Sequence, residues 1–431
     1  MMADKYKFET LALHAGAKID ETTSRGVPIY RTSSYVFKNT AHAADLFALR
    51  ELGNIYSRLM NPTQAVLEER MTALEGGAAA LALASGTSGI FYSVINICGL
   101  GDEVVSANNL YGGTFTMFNN ILPEMGIKVN FVDPLDPMNY EKKINDRTRL
   151  LYTETIGNPA LDVVNIKQIS QVAQKYHLPL IVDSTFTTPY LFRPFEHGAD
   201  IVIHSLTKWL GGHGTGIGGI VVDSGRFDWT DGKFRLFNQP DPSYHGLRYA
   251  HDLGDVLNPI AFCLRMRLVP LRNLGACISP DNAWMFLQGI ETLPLRMQRH
   301  CDNAIDVARY LCNHSRVQWV RYPGLENDPA HENALKQFQN GFGGMVVFGI
   351  AGGRNAGEKF INNLKLISHL ANVGDAKSLA IHSASTTHSQ LSEEEQRTGG
   401  ITPDLVRLSI GIEHIVDIIE DIDTALNASL L

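Results

Sequence analysis

The residues of this chain with the clearest chemical potential are a lysine and an aspartate that each follow a short apolar segment. Lys208 ends the run Ser205-Leu206-Thr207-Lys208, and several glycines follow it from Gly211 onward. Asp183 ends the apolar segment 179–182. A lysine in such surroundings suits bond formation with an aldehyde, because burial and nearby positive charge leave part of its amine neutral. The pair indicates pyridoxal phosphate, with Lys208 bonded to the aldehyde and Asp183 keeping the ring nitrogen protonated.

The Ser-x-x-Lys spacing alone also fits two other interpretations. Lys208 could be an ordinary lysine at the start of a helix. The same spacing occurs in serine hydrolases of the penicillin-binding type, where the serine is the nucleophile. Those enzymes need Ser-Asp-Asn and Lys-Thr-Gly elements downstream, and the sequence after Lys208 contains neither.

A second candidate feature is the turn Ser85-Gly86-Thr87, between a predicted strand at 78–83 and a predicted helix at 90–97. Backbone N–H groups at a helix start, together with the helix dipole, bind anions. On its own the turn is best explained as an ordinary connection. Ser205 and Thr207 add hydroxyls from another strand end, and the combination predicts a shared phosphate site.

Two residues at other predicted strand ends could contact the cofactor or the substrate. Tyr111 opens a loop and could stack on a planar ring, although a core tyrosine is an equal alternative. Asn158 precedes Pro159, which favours an extended backbone and lets the amide point into a site. The alternative for Asn158 is an asparagine that only stabilises a turn.

Two arginines are candidates for anion binding. Arg58 follows Tyr56 by two residues, so an extended backbone places both side chains on one face, which suits a phosphate. Arg407 lies in an apolar strand pattern, where burial is costly without a partner. A substrate carboxylate would be such a partner, in bidentate geometry. The alternatives are a solvated arm residue for Arg58 and an internal salt bridge for Arg407.

The bulk composition is that of a globular protein. The chain has 431 residues, of which 44% are hydrophobic and 19% charged, and a formal net charge of −8, which gives no reason to expect nucleic acid or an acidic membrane as partner. Its polar N-terminus lacks the apolar stretch of a signal peptide, and no segment is long and apolar enough to span a membrane. The five cysteines form no Cys-x-x-Cys pair, and the histidines have no metal-ligand spacing. We expect a cytoplasmic protein with reduced cysteines and no metal.

Strand and helix patterns alternate along most of the chain, which predicts an α/β protein with a mostly parallel sheet covered on both faces. Residues 1–60 are predicted to form an extended arm. A large domain is expected at 61–280, with an insertion at about 225–275, and a smaller α/β domain at 281–431.

The individual patterns predict helices at 62–74, 283–310 and 415–426. A short strand is predicted at 366–367 and a longer one at 405–410.

With these residues in place, the chain resembles the Cys/Met-metabolism group of pyridoxal-phosphate enzymes, the cystathionine gamma-synthase-like family. The resemblance extends over nearly the whole chain. It is carried by the motifs Tyr56-Ser57-Arg58, Ala84-Ser85-Gly86, Tyr111-Gly112-Gly113-Thr114, Asp183-Ser184-Thr185, Ser205-Leu206-Thr207-Lys208 and Arg407-Leu408-Ser409-Ile410-Gly411-Ile412-Glu413. It implies fold type I, the aspartate aminotransferase-like fold, with a large mixed, mostly parallel sheet domain and a smaller α/β C-terminal domain.

The resemblance also implies a role for each motif residue. Lys208 would form the Schiff base and move protons, Asp183 would pair with the ring nitrogen, and Tyr111 would stack on the ring as a second catalytic residue. The other cofactor-binding residues would be Ser85, Gly86, Thr87, Ser205, Thr207, Thr185 and Asn158, joined by Tyr56 and Arg58 from the adjacent subunit. The substrate carboxylate would be held by Arg407, Asn158 and Ser378.

The resemblance is closest to the branch of the family that replaces the acetyl group of O-acetyl-L-homoserine by sulfide or a thiol. The arm, the insertion and the segment 409–414 carry this closer match. The methionine gamma-lyases have a cysteine in the loop after the stacking tyrosine, where this chain has Gly113. Cystathionine gamma-synthase and gamma-lyase activities remain alternatives.

The family further implies small-molecule substrates and a homotetramer built from catalytic dimers with shared active sites. No nucleic-acid or membrane partner is expected. A sulfur-carrier protein is a candidate sulfur donor. A non-catalytic scaffold that binds such a carrier is disfavoured, because Lys208, Asp183 and Arg407 are all present.

Overall fold

The computed structural model describes residues 5–386, 400 and 402–429. A seven-stranded sheet carries the predicted lysine and aspartate. Its strands are β1 Ala79–Leu83, β2 Glu103–Ala107, β3 Lys128–Val132, β4 Thr148–Glu154, β5 Leu180–Asp183, β6 Ile201–Ser205 and β7 Gly219–Asp223. They lie in the order β1-β7-β6-β5-β4-β2-β3, and β7 is antiparallel to both of its neighbours. The other neighbouring pairs are parallel, so β4, β5 and β6 end at one edge.

A second, smaller sheet has five strands. They are β8 Val317–Arg321, β9 Met345–Ile350, β10 Ser368–His369, β11 Leu379–His382 and β12 Leu405–Ser409. Their order is β10-β11-β12-β9-β8, and only the β10–β11 pair of this sheet is parallel. The expected α/β class, with a large mostly parallel sheet and a smaller C-terminal sheet, is confirmed.

Helices cover both sheets. Those of seven residues or more are α1 Phe8–His14, α2 Thr40–Phe47, α3 Pro62–Glu75, α4 Gly86–Ile97, α5 Ile166–Lys175, α6 Pro280–Glu291, α7 Leu293–Cys312, α8 His331–Gln337, α9 Gly353–Asn363 and α10 Ile415–Ala428. Shorter helical segments are Gly112–Thr116, Met117–Ile121, Leu122–Glu124, Met138–Glu141, Thr188–Leu191, Pro194–His197, Arg235–Asn238, Gly254–Leu257, Asn258–Ile260, Ala261–Met266, Arg267–Leu271, Arg272–Leu274 and Ser383–Ser385. No described helix is long and apolar enough to cross a lipid bilayer.

Local sequence explains where α3 begins and ends. The side chain of Asn61 accepts a hydrogen bond from the N–H of Thr63, and Pro62 occupies the first turn, where its missing N–H costs nothing. Gly76 ends the helix with a φ of 75°, a conformation that glycine adopts without strain. The predicted helix at 62–74 is therefore confirmed with one more residue.

The large sheet is buried on both faces, as its continuous apolar strands predict. Val182 and Val202 face a core formed with α3 and α6, whereas Ile181 and Ile203 face a second core that includes α4 and the aromatic residues of the insertion. Such two-sided burial is typical of parallel strands between helical layers.

Two sequence predictions about helices were wrong. Residues 1–60 were expected to be extended, but α1 and α2 form within them. Leu11 of α1 is buried, and Arg70 of α3 donates a hydrogen bond to the carbonyl of Ala15, so this helix is stabilised by contacts with α3. The single helix predicted at 283–310 is broken near Thr292 into α6 and α7, because Pro294 lies in the first turn of α7 and cannot continue α6.

The strand predictions in the smaller sheet were closer. The strand predicted at 405–410 is β12, and the helix predicted at 415–426 is α10. The short strand predicted at 366–367 lies two residues later, at β10, and the strand β8 was not predicted.

Candidate active site

The reactive lysine lies just beyond β6, where the chain turns at the carboxyl edge of the large sheet. The N–H of Lys208 donates to the carbonyl of Ser205 at 3.3 Å, and its own carbonyl accepts from Gly212 at 2.7 Å. Burial, and to a smaller extent the positive charge of Arg407, lower the pKa of Lys208 to about 8. A substantial neutral fraction of this amine near neutral pH makes it a competent nucleophile.

Asp183 ends β5 beside this turn. Its Oδ1 accepts a hydrogen bond from the N–H of Thr185 at 2.9 Å, and Thr185 in turn accepts from the N–H of Ser205 at 2.9 Å. Burial raises the pKa of Asp183, while the hydrogen bonds from Thr185 lower it. The structure thus joins three predicted residues, Asp183, Thr185 and Ser205, in one chain of contacts across β5 and β6.

Glu154, a residue that the sequence analysis did not select, stands beside Asp183. It ends β4 in register with Asp183, and neighbouring parallel strands place paired side chains on the same face. Its Oε1 accepts from the N–H of Tyr111 at 2.8 Å. Burial and the nearby Asp183 raise the pKa of Glu154 well above its usual range. Burial raises the pKa of both carboxyls, and it raises that of Glu154 more strongly, whereas the hydrogen bonds from Thr185 favour the ionised form of Asp183.

The predicted stacking residue, Tyr111, is 52% exposed at the start of the segment Gly112–Thr116. A Cβ at Gly113 would lie 2.6 Å from Cε1 of the Tyr111 ring. The tyrosine ring can occupy this position because residue 113 has no side chain.

The predicted phosphate turn forms the start of α4, a helix of 12 residues. The Oγ of Ser85 accepts from the N–H of Ser88 at 3.0 Å and so caps the helix. A Cβ at Gly86 would lie 2.8 Å from the Cβ of Ser205. The helix start carrying Gly86 and Thr87 and the strand end carrying Ser205 are therefore in direct contact, as a shared anion site requires.

Thr207 is held in a different way from its neighbours. Its hydroxyl donates to the carbonyl of Gly218 at 3.3 Å and accepts from the N–H of Gly218 at 3.1 Å. These bonds connect the turn before Lys208 to Gly218, the residue before β7. They leave one lone pair of the hydroxyl oxygen free to accept from another donor.

Arg407 comes to the site from the smaller sheet. It lies in the middle of β12, and its Nη1 donates to the Oδ1 of Asn158 at 3.3 Å. Burial lowers the pKa of Arg407 to about 10. Among the described residues, no carboxylate forms an ion pair with its guanidinium, which leaves it able to receive one from a substrate.

Ser378 requires a correction, because its hydroxyl is used within the protein. The side chain is fully buried, donates to Oε2 of Glu413 at 2.9 Å and accepts from the N–H of Gly411 at 2.8 Å. Arg407 pairs across the sheet with Ile381, three residues beyond Ser378. The structure therefore does not place Ser378 with Arg407 and Asn158.

Tyr56 and Arg58 lie together on the arm. Both side chains are exposed, and the Arg58 guanidinium lies 5.4 Å from the centre of the Tyr56 ring. Within the described part of the chain, neither forms a hydrogen bond or ion pair with the residues at the strand ends. A single chain therefore brings together the predicted residues of the two sheets but not those of the arm.

Two further residues that sequence reasoning missed contact the lysine turn. Nζ of Lys208 donates to Oδ1 of Asn372 at 2.5 Å. Arg296 of α7 donates to the carbonyl of Trp209 at 2.8 Å and to that of Gly289 at 2.6 Å. Arg296 could have been found from the sequence, because an arginine on the apolar face of a predicted helix is unusual. Asn372 lies in a loop whose sequence has no distinctive pattern.

These residues fit pyridoxal phosphate on their own chemistry. The site combines an amine with a lowered pKa, a carboxylate at the same sheet edge and a helix start in close contact with Ser205. The buried guanidinium of Arg407, which pairs with no carboxylate of the described residues, completes a donor set for a cofactor phosphate and an amino-acid carboxylate. No cluster of His, Cys, Asp and Glu suited to a metal ion occurs among the described residues.

Comparisons with known proteins agree with this chemistry. The family described as Cys/Met metabolism PLP-dependent enzyme matches residues 9–427. An "O-acetyl-L-homoserine sulfhydrylase" of Leptospira meyeri is 54% identical, over 99% of this chain and 98% of the relative. A "Homocysteine synthase" of Schizosaccharomyces pombe is 48% identical over 100% of both chains.

A crystal structure gives the same result for the fold. The protein is named "putative O-acetylhomoserine (thiol)-lyase" from Campylobacter jejuni, and it contains a lysine bonded to the pyridoxyl phosphate group. It is similar with a TM-score of 0.94 and 40% identity, over 98% of this chain and 100% of the other.

Proposed function

This chain belongs to the Cys/Met metabolism PLP-dependent enzymes, and from that premise we propose that it is an O-acetylhomoserine sulfhydrylase. It replaces the acetyl group of O-acetyl-L-homoserine by sulfide, or by methanethiol, giving L-homocysteine or methionine and acetate. The observation that carries this proposal is full-length similarity to relatives of that name, together with a lysine, a carboxylate and a free guanidinium in one site.

The cofactor contributes an aldehyde that binds amines and a ring that accepts electrons. Lys208 would hold it covalently, and Asp183 would keep its ring nitrogen protonated. Tyr111 would contact its ring, and Glu154 fixes the backbone of Tyr111 by accepting a hydrogen bond from its N–H.

The cofactor phosphate belongs at the start of α4. Gly86 and Thr87 supply backbone N–H groups there, and Ser85 caps the same turn. Ser205 and Thr207 contribute from the turn after β6, which lies against Gly86.

Substrate orientation rests on the smaller sheet. Arg407 binds the amino-acid carboxylate through its fork of N–H donors, and Asn158, already bonded to Arg407, braces that geometry. The amine of Lys208, once free, takes the proton from Cα of the substrate and later returns a proton. Its lowered pKa suits this task, since a general base must be neutral near the working pH.

The decisive assay supplies purified protein with O-acetyl-L-homoserine and varies the acceptor among sulfide, methanethiol, cysteine and none. We expect homocysteine and acetate in equal amounts with sulfide, methionine and acetate in equal amounts with methanethiol, and neither amino-acid product without an acceptor. Cystathionine formation from cysteine would assign the protein to cystathionine gamma-synthase activity, and 2-oxobutanoate without an acceptor would assign it to the lyases. The same assay with O-succinyl-L-homoserine and O-phospho-L-homoserine identifies the leaving group.

We also propose a homotetramer of catalytic dimers, in which Tyr56 and Arg58 reach the phosphate site of the neighbouring subunit. Both side chains are exposed and, in the described part of the chain, contact each other and not the strand ends, which supports an intermolecular role. Mixing an Arg58→Ala protein with a Lys208→Ala protein, after dissociation and reassembly, tests it. Partial recovery of activity is expected if the sites are shared, whereas an inactive mixture contradicts sharing. Native mass spectrometry gives the subunit number.

We further propose a cytoplasmic location, which is consistent with the free cysteines of the chain.

Free sulfide is the simplest sulfur donor for the reaction, and a carrier-bound thiocarboxylate is the alternative. Comparing turnover with sulfide and with a thiocarboxylated carrier protein at equal sulfur concentration distinguishes these donors.

A further inference from the structure

The segment that carries Tyr56 and Arg58 is a tight turn of the arm. The N–H groups of Leu59 and Met60 both donate to the carbonyl of Tyr56, at 2.9 and 3.1 Å. Leu59 and Met60 are half-buried, and the side chains of Tyr56 and Arg58 are exposed. Residues 56–60, called the arm turn below, therefore direct two side chains outward and contact the rest of the protein through the others.

The arm turn is bonded to Arg267 of the insertion. Nη1 of Arg267 donates to the carbonyl of Leu59, and Nη2 donates to Oε2 of Glu68 at 2.6 Å. Glu68 lies in α3 and is itself fixed, because its Oε1 accepts from the N–H of Ala82 in β1 at 3.0 Å. One guanidinium thus connects the arm turn to a buried carboxylate of the large domain, with the paired donors that only arginine offers.

A second contact joins the insertion to the arm ahead of this turn. The hydroxyl of Tyr244 donates to the carbonyl of Phe47, the last residue of α2, at 2.7 Å. Phe47, Leu59 and Tyr244 line one pocket between the arm and the insertion. The insertion therefore holds the arm both before and after the segment 48–55.

The other contacts of the arm turn come from the arm itself and from the start of α3. The N–H of Ser57 donates to the carbonyl of Ser33 at 2.9 Å. Asn61, which caps α3, donates to the Oγ of Ser57 at 3.0 Å. These bonds set the shape of the turn, so loss of the contact with Arg267 should loosen its position without unfolding it.

We propose that the insertion supports the arm, and that Arg267 positions Tyr56 and Arg58 at the cofactor phosphate of the neighbouring subunit. The proposal rests on the shared sites proposed above. Arg267 is a positioning residue, because it acts through the backbone of the arm turn and does not touch the cofactor. Its effect therefore belongs to the site of the neighbouring subunit and not to the site of its own chain.

Cofactor binding by the full-length protein, stripped of pyridoxal phosphate, gives the first readout. In Arg267→Met the dissociation constant, from absorbance during titration, should rise on the order of tenfold. The same change added to Tyr56→Phe/Arg58→Ala should weaken binding no further, because the residues through which it acts are already removed. Arg248→Met is the control, since this arginine of the insertion pairs with Asp252.

Hybrid proteins, co-expressed with two affinity tags and purified through both, identify the site on which Arg267 acts. They are assayed at a cofactor concentration that saturates the wild type but not Arg267→Met. With Lys208→Ala as partner, the Arg267→Met chain contributes an intact lysine and receives an intact arm, so one of the two sites should be active. With Arg58→Ala as partner, every site has a loosened or a truncated arm, and activity should stay at the level of the parent proteins.

The opposite pattern, an inactive first hybrid and an active second one, would mean that Arg267 serves the site of its own chain. That pattern, wild-type cofactor affinity in Arg267→Met, or a further loss of affinity on the Tyr56→Phe/Arg58→Ala background would each overturn the proposal. If Arg267→Met does not fold, Arg267→Lys replaces it in every comparison, since a lysine keeps the charge beside Glu68 but not the paired donors.

The hybrid of Arg58→Ala with Lys208→Ala separates this proposal from the proposed function. An inactive hybrid of that pair would contradict the shared sites. The affinity comparison needs neither product formation nor sharing, so it still decides whether Arg267 acts through the arm turn.

Discussion

The two sheets contribute to the site in different ways. In the large sheet, Glu154, Asp183 and Ser205 are the last residues of three neighbouring parallel strands, so strand register alone gathers them. In the smaller, mostly antiparallel sheet, Arg407 lies in mid-strand and Asn372 lies in a connection. Parallel strand ends form a site by topology, whereas the smaller sheet contributes only through the way it packs on the large one.

The same contrast separates the half-buried hydroxyl of Thr185 from the buried hydroxyl of Ser378. Thr185 accepts from the N–H of Ser205 within the site, whereas Ser378 is bonded to Glu413 and Gly411. A residue that the family resemblance assigns to the site is therefore not necessarily directed toward it.

The strongest test of the large-sheet contribution is Lys208→Ala. We expect turnover to fall at least about a thousandfold, because both the covalent attachment and the proton transfer are lost. The variant should bind the cofactor without a covalent link, as seen by its release on gel filtration in denaturant after borohydride treatment. Lys336→Ala is the control, because Lys336 is exposed and, among the described residues, pairs with Glu332 on the surface of α8. Turnover near that of the wild type would contradict the role of Lys208.

The corresponding test of the smaller sheet is Arg407→Lys. A lysine keeps the charge but lacks the fork of donors that matches a carboxylate, so kcat/KM should fall on the order of 100-fold, mostly through KM. Steady-state kinetics with O-acetyl-L-homoserine measure this. An unchanged KM would mean that the substrate carboxylate does not bind to Arg407. The smaller sheet would then not contribute this contact to the substrate site.

Ser378→Ala tests whether Ser378 stabilises the smaller sheet or binds the substrate. Removing the hydroxyl leaves Oε2 of Glu413 and the N–H of Gly411 without this partner, while Oε1 of Glu413 keeps the backbone N–H of residue 378, so the free energy of unfolding should fall by about 1–3 kcal/mol. The KM for O-acetyl-L-homoserine should stay within about twofold. Denaturant unfolding and kinetics on the same preparation measure both. A large rise in KM with little loss of stability would return Ser378 to the substrate site.

A small effect on activity is also expected for Glu154→Gln. An amide resembles the protonated carboxyl and still accepts from the N–H of Tyr111, so turnover at pH 7 should stay within about threefold. The folded state raises the pKa of Glu154, so the native protein holds a proton that the unfolded chain releases. Wild-type stability should therefore fall as pH rises above the unfolded pKa of about 4.5, and the glutamine variant should lack that part of the fall.

Unfolding curves at pH 5 and pH 8 for both proteins measure this difference. Equal pH dependence in the two proteins would mean that Glu154 is ionised in the folded state. Glu154→Ala, which removes the acceptor altogether, should lose activity and so isolate the role of the hydrogen bond to Tyr111.

The sequence by itself determined the fold class and the part of the site that lies at strand ends. Apolar runs predict buried parallel strands in three places, where they are followed by Asp183, by Ser205 and Lys208, and by the turn at Gly86. The carboxyl ends of parallel strands lie at one edge of the sheet. The family resemblance was equally local, because its motifs are these same strand ends and turns. These features can be read from the sequence because each motif directly follows the strand that positions it.

Only the tertiary structure decided which residues of the smaller sheet reach the lysine. Ser378 and Asn372 lie six residues apart, and packing turns the first toward Glu413 and the second toward Lys208. Glu154 likewise had no visible partner until β4 and β5 paired in register. The helix α1 also depends on packing, because Leu11 is buried and Arg70 of α3 donates to the carbonyl of Ala15, whereas the break between α6 and α7 has a local cause in Pro294. Contacts between segments distant in sequence depend on how the two sheets and their helices pack together. The local sequence pattern of either segment does not predict this packing.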